Sequence, residues 1–130
     1  MVLWHSEALD RSLQGPLSAN APAAAFSIMI LEVAPLKIRP GASAEFEEAF
    51  RAAQLIIASM PGYIAHELRR CLERPDEYLL LVKWESVEAH EVGFRKSPEY
   101  EAWKRLLHHF YDPFPTVSHY TAVEAAAGER

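Results

Sequence analysis

The chain has 130 residues and a formal net charge of −5, with half of its residues apolar and about a quarter charged. This length suits one domain with a real hydrophobic core and is short for two. An acidic chain without a basic cluster lacks the electrostatic footprint of a nucleic-acid-binding protein, so we expect no nucleic-acid partner.

Cysteine content and hydropathy bear on where the protein works. Cys71 is the single cysteine, so no disulfide can form within the chain and no oxidising compartment is required. No apolar run reaches the ~18 residues that a membrane span needs. Glu7, Asp10 and Arg11 interrupt the N-terminus where a secretory signal would need an apolar stretch. We therefore expect a cytoplasmic protein that does not enter membranes.

Composition and periodicity divide the chain into three parts. Residues 1–27 are rich in Ala, Ser and Pro and show no sustained period, which predicts an N-terminal arm or linker. Residues 28–123 carry alternating strand and helix patterns and form the predicted domain. Residues 124–130 form an Ala-rich tail.

The first half of the domain predicts a strand, a helix and a second strand. Residues 28–38 are strand-like and end before a Pro-Gly pair. Ser43 is the expected N-cap of an amphipathic helix, since apolar residues then recur at three- and four-residue steps. Residues 63–72 alternate with a period of two, which places His66 on one face and Tyr63 on the other.

The middle of the domain predicts a corner between a strand and a helix. Residues 77–84 are the most apolar strand and end in Trp84. Residues 87–94 follow as a short helix pattern that carries His90 on its apolar stripe. A buried strand that ends in an indole and leads into a histidine-bearing helix can hold a small planar molecule.

The last part of the domain predicts one more helix and one more strand. Ser97 and Pro98 suit the N-cap and the first position of a helix, whose stripe includes Trp103. Residues 117–123 alternate as a final strand. The order β-α-β-β-α-β predicts an α+β, ferredoxin-like split β-α-β fold, a four-stranded antiparallel sheet with helices on one face. The other face of the sheet is also apolar, so we expect a homodimer through it.

Five segments of the domain carry a family resemblance. They resemble, in order, the strands and corner helices of antibiotic biosynthesis monooxygenase (ABM) domains, and they are residues 29–41, 60–68, 78–86, 94–100 and 119–123. The resemblance implies a dimeric α+β barrel formed by two sheets. It also implies one of several activities, because some members oxidise phenols or quinols with O2 and no metal or flavin, whereas others break open haem.

The resemblance allows the haem-degrading branch to be tested. That branch uses an Asn in the first strand, a Trp after the third strand and a His ligand ten residues later. By register these positions fall on Ala34, near Gly93 and near Trp103, and none of them matches. Haem degradation is therefore not favoured.

The phenol-oxidising branch fits better, and it supplies the two catalytic candidates. This branch places a Trp and a Tyr near the strand-to-helix corner and an Asn on the strand. Trp84 matches the Trp, His90 stands where the Tyr is expected, and Leu80 replaces the Asn. A neutral imidazole at His90 could take a phenolic proton, and the Trp84 ring could stack on a planar ligand. Each could equally be a packed core residue.

Four further side chains are substrate-binding candidates: Tyr63, His66, Phe94 and Trp103. Each has an aromatic ring or a polar group that could contact a ligand, although packing alone would also explain each of them. We expect no metal site, because His108 and His109 are adjacent and point about 100° apart on a helix, so they rarely bind one ion.

The sequence therefore favours a cofactor-independent monooxygenase that oxidises a small phenolic or quinol-type aromatic molecule with O2. The alternative is a non-enzymatic dimeric protein of the same fold that binds a small molecule or serves as a scaffold. A missing Asn favours this alternative, because a deprotonated phenol would lose one hydrogen-bond donor.

Overall fold

A computed structural model describes residues 29–126 and residue 128. The predicted arm, residues 1–27, lies outside the described residues, as does part of the predicted tail. None of the described helices combines the length and the apolar character needed to cross a membrane.

The described residues form one antiparallel sheet of four strands. The strands are β1 (Ile30–Lys37), β2 (Tyr63–Arg70), β3 (Glu77–Trp84) and β4 (Ser118–Tyr120). Their spatial order is β2-β3-β1-β4, and all three neighbouring pairs run antiparallel. This is the order of a ferredoxin-like fold, so the predicted fold is confirmed. The last strand is shorter than its predicted range of 117–123.

Two regular helices cover one face of the sheet. They are α1 (Ser43–Ala58) and α2 (Pro98–Leu107). A corner helix at Ala89–Phe94 has π-helical geometry, and short 3-10 turns follow at His108–Phe110 and Glu124–Ala126. π-Helical turns are rare and recur at functional sites, which draws attention to the corner helix.

The two predicted helix caps have different outcomes. Ser97 caps α2 as predicted, since its side chain accepts a hydrogen bond from the Tyr100 N–H at 3.2 Å. The predicted cap at Ser43 is wrong, because Ala42 is the N-cap and makes no side-chain bond. The Ser43 hydroxyl instead donates to Asp76 at 3.0 Å, which ties the start of α1 to the turn between β2 and β3.

The core lies between the sheet and the two helices. Alternate residues of the central strands face inward, where they meet one face of α1 and the Trp103 and Leu107 side chains of α2. The fully buried side chains in this layer include Phe46, Ile57, Val82, Trp84, Phe94 and Leu107. Burying each large apolar side chain stabilises the fold by about 1.5–3 kcal/mol.

A bulge in β2 corrects the predicted faces of that strand. The pairing with β3 shifts between Tyr63 and Ala65, so one extra residue enters the strand. Tyr63 therefore lies opposite Trp84 on the inner face, and its hydroxyl is 2.5 Å from Nδ1 of His66. The prediction that Tyr63 and His66 occupy opposite faces is wrong for this reason.

The outer face of the sheet carries a strip of apolar residues. Leu31 and Val33 of β1 pair with Lys83 and Leu81 of β3, and these side chains alternate with the inward-facing ones. Neither α1 nor α2 packs on this face, and within the described residues the strip is partly exposed. Leu31, Val33, Leu79 and Leu81 form this outer strip.

Candidate active site

A small cavity lies between the inner face of the sheet, α2 and the segment 111–117. Its wall is largely aromatic and apolar, with a few polar groups, and the lining residues are Glu32, Ala34, Leu36, Ile57, Leu80, His90, Phe94, Arg95, Tyr100, Trp103, His108, Tyr111, Phe114, Pro115 and Val117. The cavity volume is about 40 Å³. That is room for a few water molecules and is less than the ~150 Å³ that admits benzene in an apolar core. The wall would therefore have to move to admit a ring-sized ligand. Phe114, a residue of this wall, is 58% exposed and lies in the irregular segment 111–117.

Glu32 is a buried carboxyl group in the cavity wall. It shares the inward phase of β1 with Ile30 and Ala34, and only 5% of it is exposed. The indole N–H of Trp84 donates a hydrogen bond to Glu32 Oε1 at 2.8 Å. Burial raises the pKa of Glu32 to about 7, although the Trp84 bond and the charge of Arg95 act in the opposite direction. This carboxyl group can thus gain or lose a proton near neutral pH.

His90 projects from the corner helix toward Glu32. It is 3% exposed, its Nε2 lies 3.5 Å from Glu32 Oε1, and its ring stacks on Trp84 with centroids 5.4 Å apart. Burial lowers the pKa of His90 to about 3, and the charge of Arg95 and the neighbouring His119 act in the same direction. The imidazole is therefore neutral at pH 7 and can both donate and accept a hydrogen bond.

A polar chain connects this buried pair to the surface. His90 Nδ1 lies 2.9 Å from Nε2 of His119 on β4, so one of the two rings donates a hydrogen to the other. The same His119 nitrogen lies 3.7 Å from Oε2 of Glu91, whose side chain is 40% exposed. A proton that leaves Glu32 could follow this route from the cavity wall to solvent.

The polar chain of His90, His119 and Glu91 is also the group of described residues that comes closest to a metal site. Ligand atoms of His90, Glu91 and His119 all lie within 4.8 Å of one another. Two features oppose a cation there. The two imidazoles already share a hydrogen bond, and the guanidinium of Arg95 lies 3.5 Å from Glu91. The expectation of a protein without a metal stays a prediction.

The predicted site residues separate into two groups. His90, Phe94 and Trp103 line the cavity. Tyr63 and His66 lie in another cluster, in which His66 Nε2 is 2.9 Å from Gln54 Oε1. Within the described part of the chain, these two residues do not border the cavity.

Trp84 links the two groups. It is fully buried, lies edge-on to Tyr63 with ring centroids 6.2 Å apart, and packs against His90 and Phe94. Its ring is thus already enclosed by protein, and its N–H already serves Glu32. Trp84 therefore contacts the cavity wall residues Glu32, His90 and Phe94 without lining the cavity itself.

Three polar side chains of the cavity wall were not predicted from the sequence: Glu32, Arg95 and Tyr111. Glu32 had a usable signal, because a charged residue occupies an inward position of an alternating strand. Arg95 and Tyr111 had none, since their neighbours in the cavity come from other elements. Burial raises the pKa of Tyr111, and the Nε–H of Arg95 is buried without a hydrogen-bond partner.

Comparison with known proteins identifies the family. Residues 29–106 match the model of the antibiotic biosynthesis monooxygenase family, so the chain belongs to that family. It is 55% identical over 95 residues to YczJ, a protein of Bacillus subtilis named as uncharacterized, with 73% of this chain and all of YczJ covered.

Solved structures agree with this assignment. A candidate antibiotic biosynthesis monooxygenase from Bordetella bronchiseptica has 33% identity and a TM-score of 0.71, with 74% of this chain and 98% of that chain covered. SnoaB, a cofactor-independent oxygenase from Streptomyces nogalater, has 23% identity and a TM-score of 0.63, with 74% and 94% covered. At that level of identity, the likeness to SnoaB shows the fold alone.

Proposed function

We propose that the protein is a cofactor-independent monooxygenase that oxidises a small phenol or quinol with O2. The observation that carries the proposal is the aromatic cavity with the buried Glu32 carboxyl in its wall, connected through His90 and His119 to the surface. Membership of a monooxygenase family and the fold shared with SnoaB support it.

Glu32 has the base role in this proposal. A phenol has a pKa of about 10 and is hard to oxidise until it loses its proton. A carboxylate whose pKa is about 7 is well matched to take that proton near neutral pH. The phenolate then gives an electron to O2, and the resulting pair couples at a ring carbon. The peroxide anion takes back a proton from the protonated Glu32 to give a hydroperoxide. Loss of water, which takes the hydrogen of the same ring carbon, then yields the quinone.

His90 and Trp84 support Glu32. The sequence suggested His90 as the base, but a pKa of about 3 makes it a weak one. In the proposal His90 passes the proton from Glu32 to His119, and Trp84 holds the carboxyl group through its N–H. Phe94 and Trp103 provide apolar walls that exclude water from the reacting pair. A substrate contact of Tyr63 and His66 would require a ligand that reaches beyond the described cavity.

The proposed oxygenase activity can be measured as O2 consumption, and its dependence on Glu32 can be measured in the same assay. Purified protein should consume O2 when supplied with anthrone or a quinol in the presence of EDTA and without added flavin. We expect Glu32→Gln to lower the rate by about 100-fold, because removal of a general base typically costs that much or more. Product formation, followed by absorbance and by O2 uptake, is the measurement.

Glu45→Gln is the matched control for this experiment. Glu45 is an exposed carboxylate in the first turn of α1, and its loss should leave the rate unchanged. A Glu32→Gln protein that remains folded and turns over at the normal rate would remove Glu32 from the mechanism.

The second candidate function is ligand binding without chemistry. The small volume of the cavity favours it, and so do Ala34 and Leu80, which put apolar side chains in the wall at positions where the family resemblance implies Asn. Saturable binding of quinols without O2 uptake above the buffer rate would favour this candidate over the oxygenase.

We further propose that two copies form a homodimer through the outer strip. Leu31, Val33, Leu79 and Leu81 leave a contiguous apolar surface on the central strands, which a second sheet would cover. Because the cavity lies on the opposite face, dimerisation would leave the proposed active site accessible.

A further inference from the structure

We propose that Arg95 is an anion-binding subsite of the cavity and that the ligand is an aromatic hydroxy acid, a phenol or quinol that carries a carboxylate. The inference rests on the cavity of the proposed function and narrows its substrate class. It depends on the contacts of Arg95, which the proposed reaction does not use.

The main chain holds Arg95 in place at the end of the corner helix. Its backbone N–H donates to the His90 carbonyl at 3.0 Å, which closes the last turn of that helix. The side chain of Arg95 then lines the cavity. Any shift of the guanidinium away from the cavity would have to occur in the side chain alone.

The guanidinium of Arg95 is only partly satisfied. One terminal nitrogen lies 3.5 Å from Glu91 Oε1, a long and partly exposed ion pair. The Nε–H is buried and lacks a hydrogen-bond partner, and it is the single buried side-chain polar atom in this state among the described residues. Buried donors are almost always paired, so an unpaired one beside a cavity calls for a ligand acceptor.

A carboxylate is the acceptor that fits best. The guanidinium is permanently charged, and its planar array of N–H groups matches the two oxygens of a carboxylate. The other walls are aromatic, with Phe94, Tyr100 and Trp103 among them, which favours a ring rather than a free inorganic anion.

Arg95 lies close to the proposed base. Arg95, Glu32 and Tyr100 all line the same cavity. Burial raises the pKa of Glu32 and of Tyr100, and the charge of Arg95 opposes that rise in both groups. A single ring could therefore offer its hydroxyl to Glu32 and a nearby carboxylate to Arg95. This arrangement would orient the reacting carbon and would also satisfy the orphaned donor.

The test compares two quinols that differ by one carboxylate, gentisate and hydroquinone. Their affinities for the full chain are measured by NMR titration without O2, so that binding is separated from oxidation. We expect gentisate to bind at least about tenfold more tightly, as a charge-assisted hydrogen bond in a partly buried site would give. Inorganic phosphate serves as a ring-free anion and should compete poorly.

Variants of Arg95 decide whether the preference arises there. Arg95→Gln should bring the two affinities together, and Arg95→Lys should keep part of the difference because it retains the charge. Arg51→Gln, which removes an exposed arginine on α1, should leave the difference intact. Equal affinities in the natural protein, or a preference that survives Arg95→Gln in a folded variant, would overturn the inference.

The same ligands separate this inference from the proposed function. Binding of gentisate that depends on Arg95, together with no O2 uptake, would support the subsite and contradict the oxygenase. Oxidation of both quinols with equal affinity would support the oxygenase and contradict the subsite. If neither gentisate nor hydroquinone bound, the subsite would be contradicted.

Discussion

At the scale of single residues, Glu32 is the side chain on which the proposed site depends most. A carboxyl group that is nine-tenths or more removed from water is costly to ionise, and here one hydrogen bond from Trp84 offsets only part of that cost. Burial holds the pKa of Glu32 near 7 and that of His90 near 3, so the two groups respond to pH in opposite directions.

The stability of the protein should report the pKa of Glu32. Since its folded-state pKa is raised from 4.5 to about 7, its stabilising contribution is full below the unfolded value and is lost as pH rises through 7. Glu32→Gln has no such loss. We therefore expect the free energy of unfolding of the variant, relative to that of the natural protein, to rise by on the order of 3 kcal/mol between about pH 4 and about pH 8.

Urea unfolding of both proteins across this pH range is the measurement. The lowered pKa of His90 has the opposite effect on stability, since the stabilising contribution of the neutral His90 grows as pH rises from about 3 through 6.5. Comparing the two proteins largely cancels this contribution, because both retain His90. A stability difference that does not change with pH would contradict the raised pKa of Glu32.

At the scale of elements, the corner helix determines where His90 lies, and Gly62 determines where the corner helix lies. Gly62 has a φ of +86°, which side chains disfavour, and its carbonyl accepts the Glu85 N–H at 2.8 Å. A Cβ at Gly62 would stand 2.6 Å from the Cβ of Ala89, the first residue of the corner helix. The turn after α1 and the start of the corner helix are therefore in direct contact.

Two glycines allow the strain and the contact to be measured separately. Gly41 has a similar positive φ of +82°, and a Cβ there would meet open space. Gly41→Ala should therefore cost about 1–2 kcal/mol of stability from backbone strain alone. Gly62→Ala should cost about 1–3 kcal/mol more, since the turn or the corner helix must move. Denaturant unfolding measures both. Equal costs would show that the contact with Ala89 relaxes freely.

At the scale of the whole molecule, the two faces of the sheet are covered differently. The inner face carries the core and the cavity, whereas the outer strip has no covering element among the described residues. A strip of leucine and valine side chains on two long central strands is the kind of surface that self-associates.

The proposed dimer should respond to a charge placed in the outer strip. Leu81→Lys would bury a lysine in the proposed interface, so we expect a shift from dimer to monomer at micromolar concentration with unchanged far-UV circular dichroism. Sedimentation velocity is the measurement. Leu55→Lys is the control, because Leu55 is 72% exposed on α1 and lies away from the strip. A natural protein that sediments as a monomer would contradict the dimer.

Local patterns in the sequence determined the elements. Alternation marked β2 and β4, an apolar run marked β3, and the Ser97-Pro98 pair marked the start of α2, because side-chain spacing and capping act within a few residues. The family resemblance predicted the same fold. The bulge at Tyr63 escaped prediction because it depends on the pairing with β3. The cap at Ser43 was mispredicted because the Ser43 hydroxyl bonds to Asp76 in the turn between β2 and β3.

The chemistry of the site was decided by tertiary structure. His90 could be singled out from its helical stripe, but its meaning depends on Glu32 and on His119, which is 29 positions away in the chain. Glu32 in turn meets Trp84 across 52 positions. The sequence by itself determined the strands and helices and their order, because these follow from local spacing of side chains. It placed Tyr63 on the wrong face, because the bulge in β2 depends on the pairing with β3. Only folding decided which inward groups meet and share protons, because burial and hydrogen bonding between distant residues set their pKa values.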